Sequence, residues 1–296
     1  MSASPFLTAM VEGGKLGPHD PPSAPVPWWS LTKVALAAGA LALVAGEKLA
    51  LDAPLGARPF TLRQLLQHTA GVPDYGGLAA YHEAVARRDE PWRTDELLRR
   101  VDAETLLFPP GRGWAYSNVG YLIVRRLIED SAGEEIDAAL RRLVFTPLRV
   151  PGVRLARIPS DLAVTAWGNE AGYHPGWVYH GLLIGTPAEA ALFLDRLLSG
   201  LLLPRVLLDA MAEPYPLGGP MQGRPWRTAG YGLGLMIDVA SPRGRYHGHT
   251  GQGPGSTAAA YRFADLDPPC TAAAFAPVED QGVVERAVLA LPKAMS

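Results

Sequence analysis

The sequence predicts a mixed α/β (α+β) fold, an antiparallel sheet flanked by helices beside an all-helical lobe. Three observations predict it. An Ala- and Leu-rich helical run opens at Ser30, shorter helical segments fill the middle of the chain, and the last quarter turns to short strands closed by a helix. With 296 residues and 48% hydrophobic composition, the chain can bury a large core. The formal net charge of -2 gives no reason to expect nucleic acid or an anionic membrane as partner. The lone Cys270 excludes an internal disulfide and every Cys-rich zinc site.

Taken in chain order, residues 1 to 20 lack a basic start, an apolar core and a small-residue cleavage site, so no secretory signal and a cytoplasmic address are expected. Residues 16 to 27 carry five prolines and form a rigid, non-helical approach to Trp28 and Trp29. Ser30 stands as N-cap or first-turn residue of a helix reaching about Lys48. Its most apolar part, Val34 to Gly46, is shorter than the ~18 residues a membrane span needs and reads as a buried helix. Shorter helices are predicted over Thr61 to His68, Leu78 to Arg88, Thr94 to Val101, Val119 to Ser131, Ile136 to Val144 and Pro187 to Ser199. Strands are predicted over Tyr231 to Val239, Arg245 to His249, Ser256 to Phe263 and Thr271 to Val278, and a closing helix over Gln281 to Met295. Residues 1–296 are thus read as one domain, with a helical lobe over about 30–220 and a sheet lobe from about 1–29 and 225–296. A site between the lobes is expected.

Ser30-Leu31-Thr32-Lys33 has the form S-x-x-K. On a helix, positions i and i+3 share a face, so the amine can reach the hydroxyl. A serine hydroxyl is a weak nucleophile until a base accepts its proton, and a lysine serves only if its surroundings leave a fraction neutral. Eleven serines and four lysines in this length give about 0.15 such pairs by chance, so the motif alone is weak. Lys33 nevertheless lies one turn into a very apolar helix, where a solvated lysine is not expected. Tyr116-Ser117-Asn118 follows Pro109-Pro110-Gly111 and offers a phenol for proton relay and an amide for a substrate carbonyl. A packed tyrosine with a helix-capping asparagine is the competing reading. His249-Thr250-Gly251, followed by Gln252 and Gly253, closes a predicted strand whose edge amides could hold an oxyanion. His247 with His249 could suggest a metal, but no third ligand is apparent. His68 reads as a satisfied turn histidine rather than a base. His174 and its aromatic neighbours could form a cleft wall.

In order and spacing, these motifs resemble the superfamily of class C β-lactamases, DD-peptidases and related (family VIII-type) esterases. The stretches between them are similar as well. Thr61 to Tyr75 looks like that family's T-L-R-x-L-L-x-H-T-S-G-L-P, Phe108 to Tyr121 like its F-x-P-G…Y-S-N-x-G-Y, and Tyr231-Gly232-Leu233-Gly234 with Gly248-His249-Thr250-Gly251 like its Y-G-L-G…G-H-x-G. The resemblance covers about residues 28 to 296 and implies a β-lactamase/transpeptidase-like fold. It implies that Ser30 forms an acyl-enzyme, that Lys33 and Tyr116 shuttle the proton, and that Asn118 holds an acyl-side group. The Ser30 and Gln252 amides would form the oxyanion hole, and His249 and Thr250 would line the substrate.

Three departures bear on this. Only 29 residues precede Ser30, so the sheet should be shortened at its N-terminal edge, which a second subunit could cover. Trp28-Trp29 should re-line the floor beside the nucleophile, with Trp29 a substrate contact. His249 replaces the lysine that usually grips a carboxylate and, if neutral, disfavours anionic β-lactams. The expected protein is a serine hydrolase needing neither metal nor organic cofactor, acting on a small-molecule ester, amide or lactam. An esterase or amidase is preferred. A β-lactamase or DD-peptidase, an acyltransferase and a catalytically silent binding or sensor homologue remain as alternatives.

Overall fold

The computed structural model describes residues 5–17, 22–169, 172–241 and 244–293. Part of the proline-rich approach, residues 18 to 21, and the end of the predicted closing helix, residues 294 and 295, lie outside the described residues. The chain begins with a hairpin, β1 (Leu7–Glu12) and β2 (Lys15–Leu16), followed by β3 (Val26–Pro27) and a 3-10 turn, Trp29–Leu31. Helix α1 (Thr32–Ala45) comes next, then α2 (Leu62–Leu66), α3 (Ala79–Ala86), α4 (Thr94–Arg100), α5 (Asn118–Ala132) and α6 (Ile136–Leu140), the last running into a π turn to Phe145. Strand β4 (Arg154–Ala156), α7 (Pro159–Ala163), β5 (Leu182–Gly185), α8 (Pro187–Leu198) and α9 (Arg205–Ala212) complete the middle. The last quarter gives β6 (Tyr215–Gly218), β7 (Ala229–Tyr231), β8 (Met236–Asp238), β9 (Tyr246–Gly253), β10 (Ser256–Phe263), β11 (Cys270–Ala276) and α10 (Gln281–Ala290).

Eight strands form one antiparallel sheet in the order β2-β1-β11-β10-β9-β8-β7-β6. The N-terminal hairpin supplies its far edge, with β1 paired to β11 from Leu7↔Phe275 to Glu12↔Cys270. The outermost strand has only two residues, which is where the edge is short. The alternation of β10 and β11 separates two cores, as a two-residue side-chain period requires. Ala258, Ala260, Ala273 and Phe275 face the core shared with α1 and α8. Ala259, Tyr261, Phe263, Ala272 and Ala274 face Val284 and Val288 of α10. Both faces are covered, so the middles of these strands are apolar on both sides rather than alternating.

Two sequence expectations change. The stretch from Tyr231 to Val239 is not one strand: β7 turns at Gly232–Leu235 and pairs back with β8, Tyr231 opposite Met236. The helical lobe also carries a second sheet of order β3-β5-β4, and β6 leaves it to join the main sheet. These strands are two to four residues long, too short to show a period.

The helices that hold the site begin where the chemistry predicts. The Ser117 hydroxyl caps α5 by accepting from the Gly120 amide at 2.8 Å, and Gly133 ends it at φ 68°. Helix α1 has no polar stripe. It is buried on nearly every side, Lys33 included. Among the described residues, no helix is long and apolar enough to cross a membrane.

Candidate active site

Ser30 lies in the 3-10 turn that leads into α1, and Lys33 lies one turn further on. The preceding residue, Trp29, has φ 46°, an uncommon left-handed conformation for a bulky side chain. Strand β9 explains how this turn is held. A β-carbon at Gly251 would collide with the Ser30 amide nitrogen and the Trp28 carbonyl, and one at Gly253 would enter the Trp29 ring. Only glycine lets the strand run this close to the serine. From the other side, the Leu183 amide of β5 donates to Thr32 Oγ1 at 3.1 Å, and the Trp28 amide donates to the Leu183 carbonyl at 2.9 Å. The turn is therefore fixed between the two sheets.

The loop ahead of α5 brings the remaining groups. His68, itself at φ 61°, accepts the Ser117 amide on Nδ1 at 3.1 Å, and its ring lies 4.4 Å from that of Tyr116. Asp74 accepts the Asn118 amide at 2.8 Å and the Asn118 side-chain Nδ2 at 3.3 Å. A carboxylate can only accept, so it fixes the orientation of the Asn118 amide and turns Oδ1 toward Lys33.

At the centre, the Tyr116 hydroxyl donates to Ser30 Oγ at 2.9 Å, and Lys33 Nζ lies 3.2 Å from the same oxygen. Lys33 Nζ also lies 2.7 Å from Asn118 Oδ1 and 3.1 Å from His180 Nε2. Burial pulls the Lys33 amine down to about 7, and the Asp74 carboxylate opposes it. Burial pushes the Tyr116 phenol up, so it holds its proton at neutral pH. The two neighbours of Ser30 thus differ in kind: a base that can be neutral and a phenol that stays a donor.

A cleft of about 660 Å³ opens above them, lined by Ser30, Tyr116, Asn118, His249, Thr250 and Gln252, with Asp74, Trp114, Tyr231, Met236 and Glu279. His249 is held neutral: burial, and then the Lys33 charge, bring it to about 3. Its Nδ1 lies 2.6 Å from the Thr250 carbonyl and must carry the hydrogen, so Nε2 accepts the Tyr231 hydroxyl at 2.9 Å. Both ring nitrogens are committed. The Thr250 hydroxyl donates to Glu285 at 2.6 Å, and Glu285 also binds Arg224 and the Trp226 indole.

Ser30, Lys33, Tyr116, Asn118, His249, Thr250 and Gln252 therefore meet at one place. Two expected contacts do not join them. Trp29 is buried away from the cleft, because its indole N–H finds Ser256 Oγ at 2.9 Å and its ring meets Tyr173 edge-on at 5.6 Å. His174 caps a short turn by accepting the Gly176 amide at 2.9 Å, with Glu90 3.6 Å away, and does not line the cleft. His68 stands in a turn as the sequence suggests, but it is not fully satisfied, because its Nε2 is buried with no hydrogen-bond partner among the described residues. His247 and His249 occupy one strand, and among the described residues no three His, Cys, Asp or Glu side chains cluster as metal ligands. Sequence reasoning missed Asp74, His180 and the Arg224–Glu285 pair. Asp74 stood inside a quoted stretch, but His180 and Glu285 carried no local signal.

Comparison with known proteins agrees with this architecture. A family model described as Beta-lactamase matches residues 6–277. Esterase EstB of Burkholderia gladioli is 32% identical over 139 residues, covering 40% of this chain and 35% of that protein. Penicillin-binding protein 4* of Bacillus subtilis (strain 168) is 24% identical over 238 residues, covering 69% of this chain and 49% of that protein. The chain thus spans between a third and a half of the length of these two curated relatives. Among solved structures, a D-stereospecific amidohydrolase from Streptomyces sp. gives a TM-score of 0.83 at 22% identity, over 98% of this chain and 94% of that one. A D-amino acid amidase from Ochrobactrum anthropi SV3 gives 0.76 at 20% identity, over 98% of this chain and 95% of that one. Likeness at such identities establishes the fold. With the family model matching from the first strand to the end of the sheet, this chain belongs to the beta-lactamase family.

Proposed function

We propose that the protein is a serine hydrolase of small amides or esters, working through an acyl-enzyme on Ser30. The observation that carries this reading is the position of Ser30 Oγ, 3.2 Å from the Lys33 amine and 2.9 Å from the Tyr116 hydroxyl at the cleft floor. Neutral Lys33 takes the Ser30 proton as Oγ bonds to the substrate carbonyl carbon. The carbonyl oxygen becomes an oxyanion, which the Ser30 and Gln252 amides accommodate. As the carbon–nitrogen or carbon–oxygen bond breaks, the leaving group receives the proton through Tyr116 and Lys33. Water then repeats the sequence on the acyl-enzyme, giving its proton to the same pair and restoring Ser30. Asn118 Nδ2 donates one N–H to Asp74 and has a second for the acyl side.

The cleft's charges favour neutral or amine-bearing acyl groups over anionic ones. His249 is neutral with both nitrogens in use, and Arg224, the one Lys or Arg among the described lining residues, is paired with Glu285. Asp74 and Glu279 supply carboxylates on the same walls. The names of the similar proteins, an esterase and a D-amino acid amidase among them, point the same way. The test is hydrolysis of a short-chain p-nitrophenyl ester, a D-amino acid p-nitroanilide and a chromogenic cephalosporin by wild type and Ser30→Ala. Turnover of the first or second that disappears with the serine is expected. Activity that survives Ser30→Ala overturns the nucleophile, and preferential turnover of the cephalosporin overturns the substrate class.

A further inference from the structure

His180 is a buried histidine that neither the family motifs nor the acylation steps above employ. It lies between the short turn Pro175–Trp177 and β5, next to Gly181 at φ 103°. The Gly181 amide donates to the Val178 carbonyl at 2.7 Å and closes the turn that carries His180. The two hydrogen bonds that tie Leu183 to Trp28 and Thr32 fix this segment against the nucleophile's turn. The backbone therefore fixes where the His180 ring is carried, and its Nε2 lies 3.1 Å from Lys33 Nζ.

Hydrogen-bond capacity makes this approach informative. A neutral amine has two N–H groups and one lone pair, and it is a base toward Ser30 only if the lone pair faces the serine hydroxyl. Lys33 Nζ has three polar neighbours within reach: Ser30 Oγ, Asn118 Oδ1 and His180 Nε2. Asn118 Oδ1 can only accept, because Asp74 holds the other end of that amide. It takes one N–H. If His180 Nε2 also accepts, the second N–H is used and the lone pair falls to Ser30. If Nε2 instead carried a hydrogen, it would take the lone pair and leave Ser30 without a base.

We infer that His180 is a positioning residue that accepts one Lys33 N–H on Nε2, holds its own hydrogen on Nδ1, and thereby aims the amine lone pair at Ser30. The inference rests on Lys33 being the base for Ser30. The resting ammonium selects the same tautomer, since it offers three N–H groups and needs three acceptors. Burial, together with the Lys33 and Arg125 charges, holds the His180 ring well below the usual histidine range, so it does not compete by becoming a cation. The cost is at Nδ1, which is buried and has no hydrogen-bond partner among the described residues.

The experiment reads Ser30 phosphonylation by a fluorophosphonate probe from pH 5 to 9 in wild type, His180→Leu, His180→Gln and Ser30→Ala. Besides His180, the groups facing Lys33 are Ser30, Asn118, Tyr116, Tyr121, Asp74, His68 and His249, all unchanged in the two His180 variants. His180→Leu should lower the plateau rate about 10²-fold, as a misdirected reacting group does. It should also move the acid limb to lower pH, because an ammonium that loses an acceptor gives up its proton more readily. His180→Gln, which keeps an acceptor at that reach, should restore rate and limb. An unchanged rate in His180→Leu overturns the inference, as does an equal fall in both variants with the limb unmoved. Labelling that persists in Ser30→Ala would instead refute the nucleophile. Independently of any variant's folding, ¹⁵N NMR of histidine-labelled wild type should show a protonated Nδ1 and a bare Nε2 at His180, and the reverse tautomer overturns the inference.

Discussion

An amine taken out of water favours its neutral form, and Lys33 carries both consequences of that preference. Burial brings its pKa down from 10.5 to about 7 in the folded chain. Activity should therefore rise with pH through about 7 and hold above it, because only the neutral amine can accept the Ser30 proton. A kcat/KM profile with an acid limb near pH 7 is the expected result, and a flat profile down to pH 5 would argue against Lys33 as base. The same burial is a debt in folding free energy. The unfolded chain keeps the proton up to about 10.5 while the folded one gives it up near 7, so the penalty is full below pH 7 and fades as pH rises toward 10.5. Lys33→Met should abolish activity yet raise stability by a few kcal/mol at pH 6, and by much less near pH 10, in urea titrations. Ser30, Lys33, Tyr116 and Asn118 were legible because their spacing carries them. His180 was not, since 147 residues separate it from Lys33 and no local pattern marks a side chain whose partner lies across the fold. Trp29 misled for a related reason: its place in sequence is next to Ser30, but its indole N–H found Ser256 behind the turn.

At the scale of elements, β9 decides whether the serine is held. Its glycines at 251 and 253 leave room for the Ser30 amide and the Trp29 ring. Gly251→Ala should push the strand off the turn, and acylation should fall far more than overall stability, which should drop by roughly 1–3 kcal/mol as in other overpacked sites. Comparing the labelling rate with the urea midpoint checks this, and a variant that labels at the wild-type rate would show that the close approach is not needed. The long helices and the strands β9, β10 and β11 were readable from composition and bounding turns. The misses were short elements. A two-residue strand such as β3 has no period, and β7 with β8 looked like one strand because the turn between them, Gly232 to Leu235, is itself apolar and buried.

For the whole molecule, the expected sheet and helical lobe are present. At the sheet edge expected to be shortened, β1 pairs with β11 over six residues and only the outermost β2 is short. What the sequence could not convey was the degree of interlocking, because strand partners and second sheets are set by contacts far apart in the chain. Arg262 of β10 binds Asp195 of α8 in the buried interior, and Thr271 of β11 donates to the same carboxylate at 2.9 Å. Helix α1 is buried along all but its C-terminal turn, so its stability comes mainly from the packing around it. That has a consequence for how the protein fails. A site carried only on loops can melt while its scaffold persists, but here Ser30 and Lys33 lie where a 3-10 turn runs into this buried helix. Loss of phosphonate labelling and loss of helical circular dichroism should follow one curve in urea; labelling lost well before the helix signal would mean that the site loosens on its own. Between the native protein and the unfolded chain there should be no half-open form that still turns over substrate.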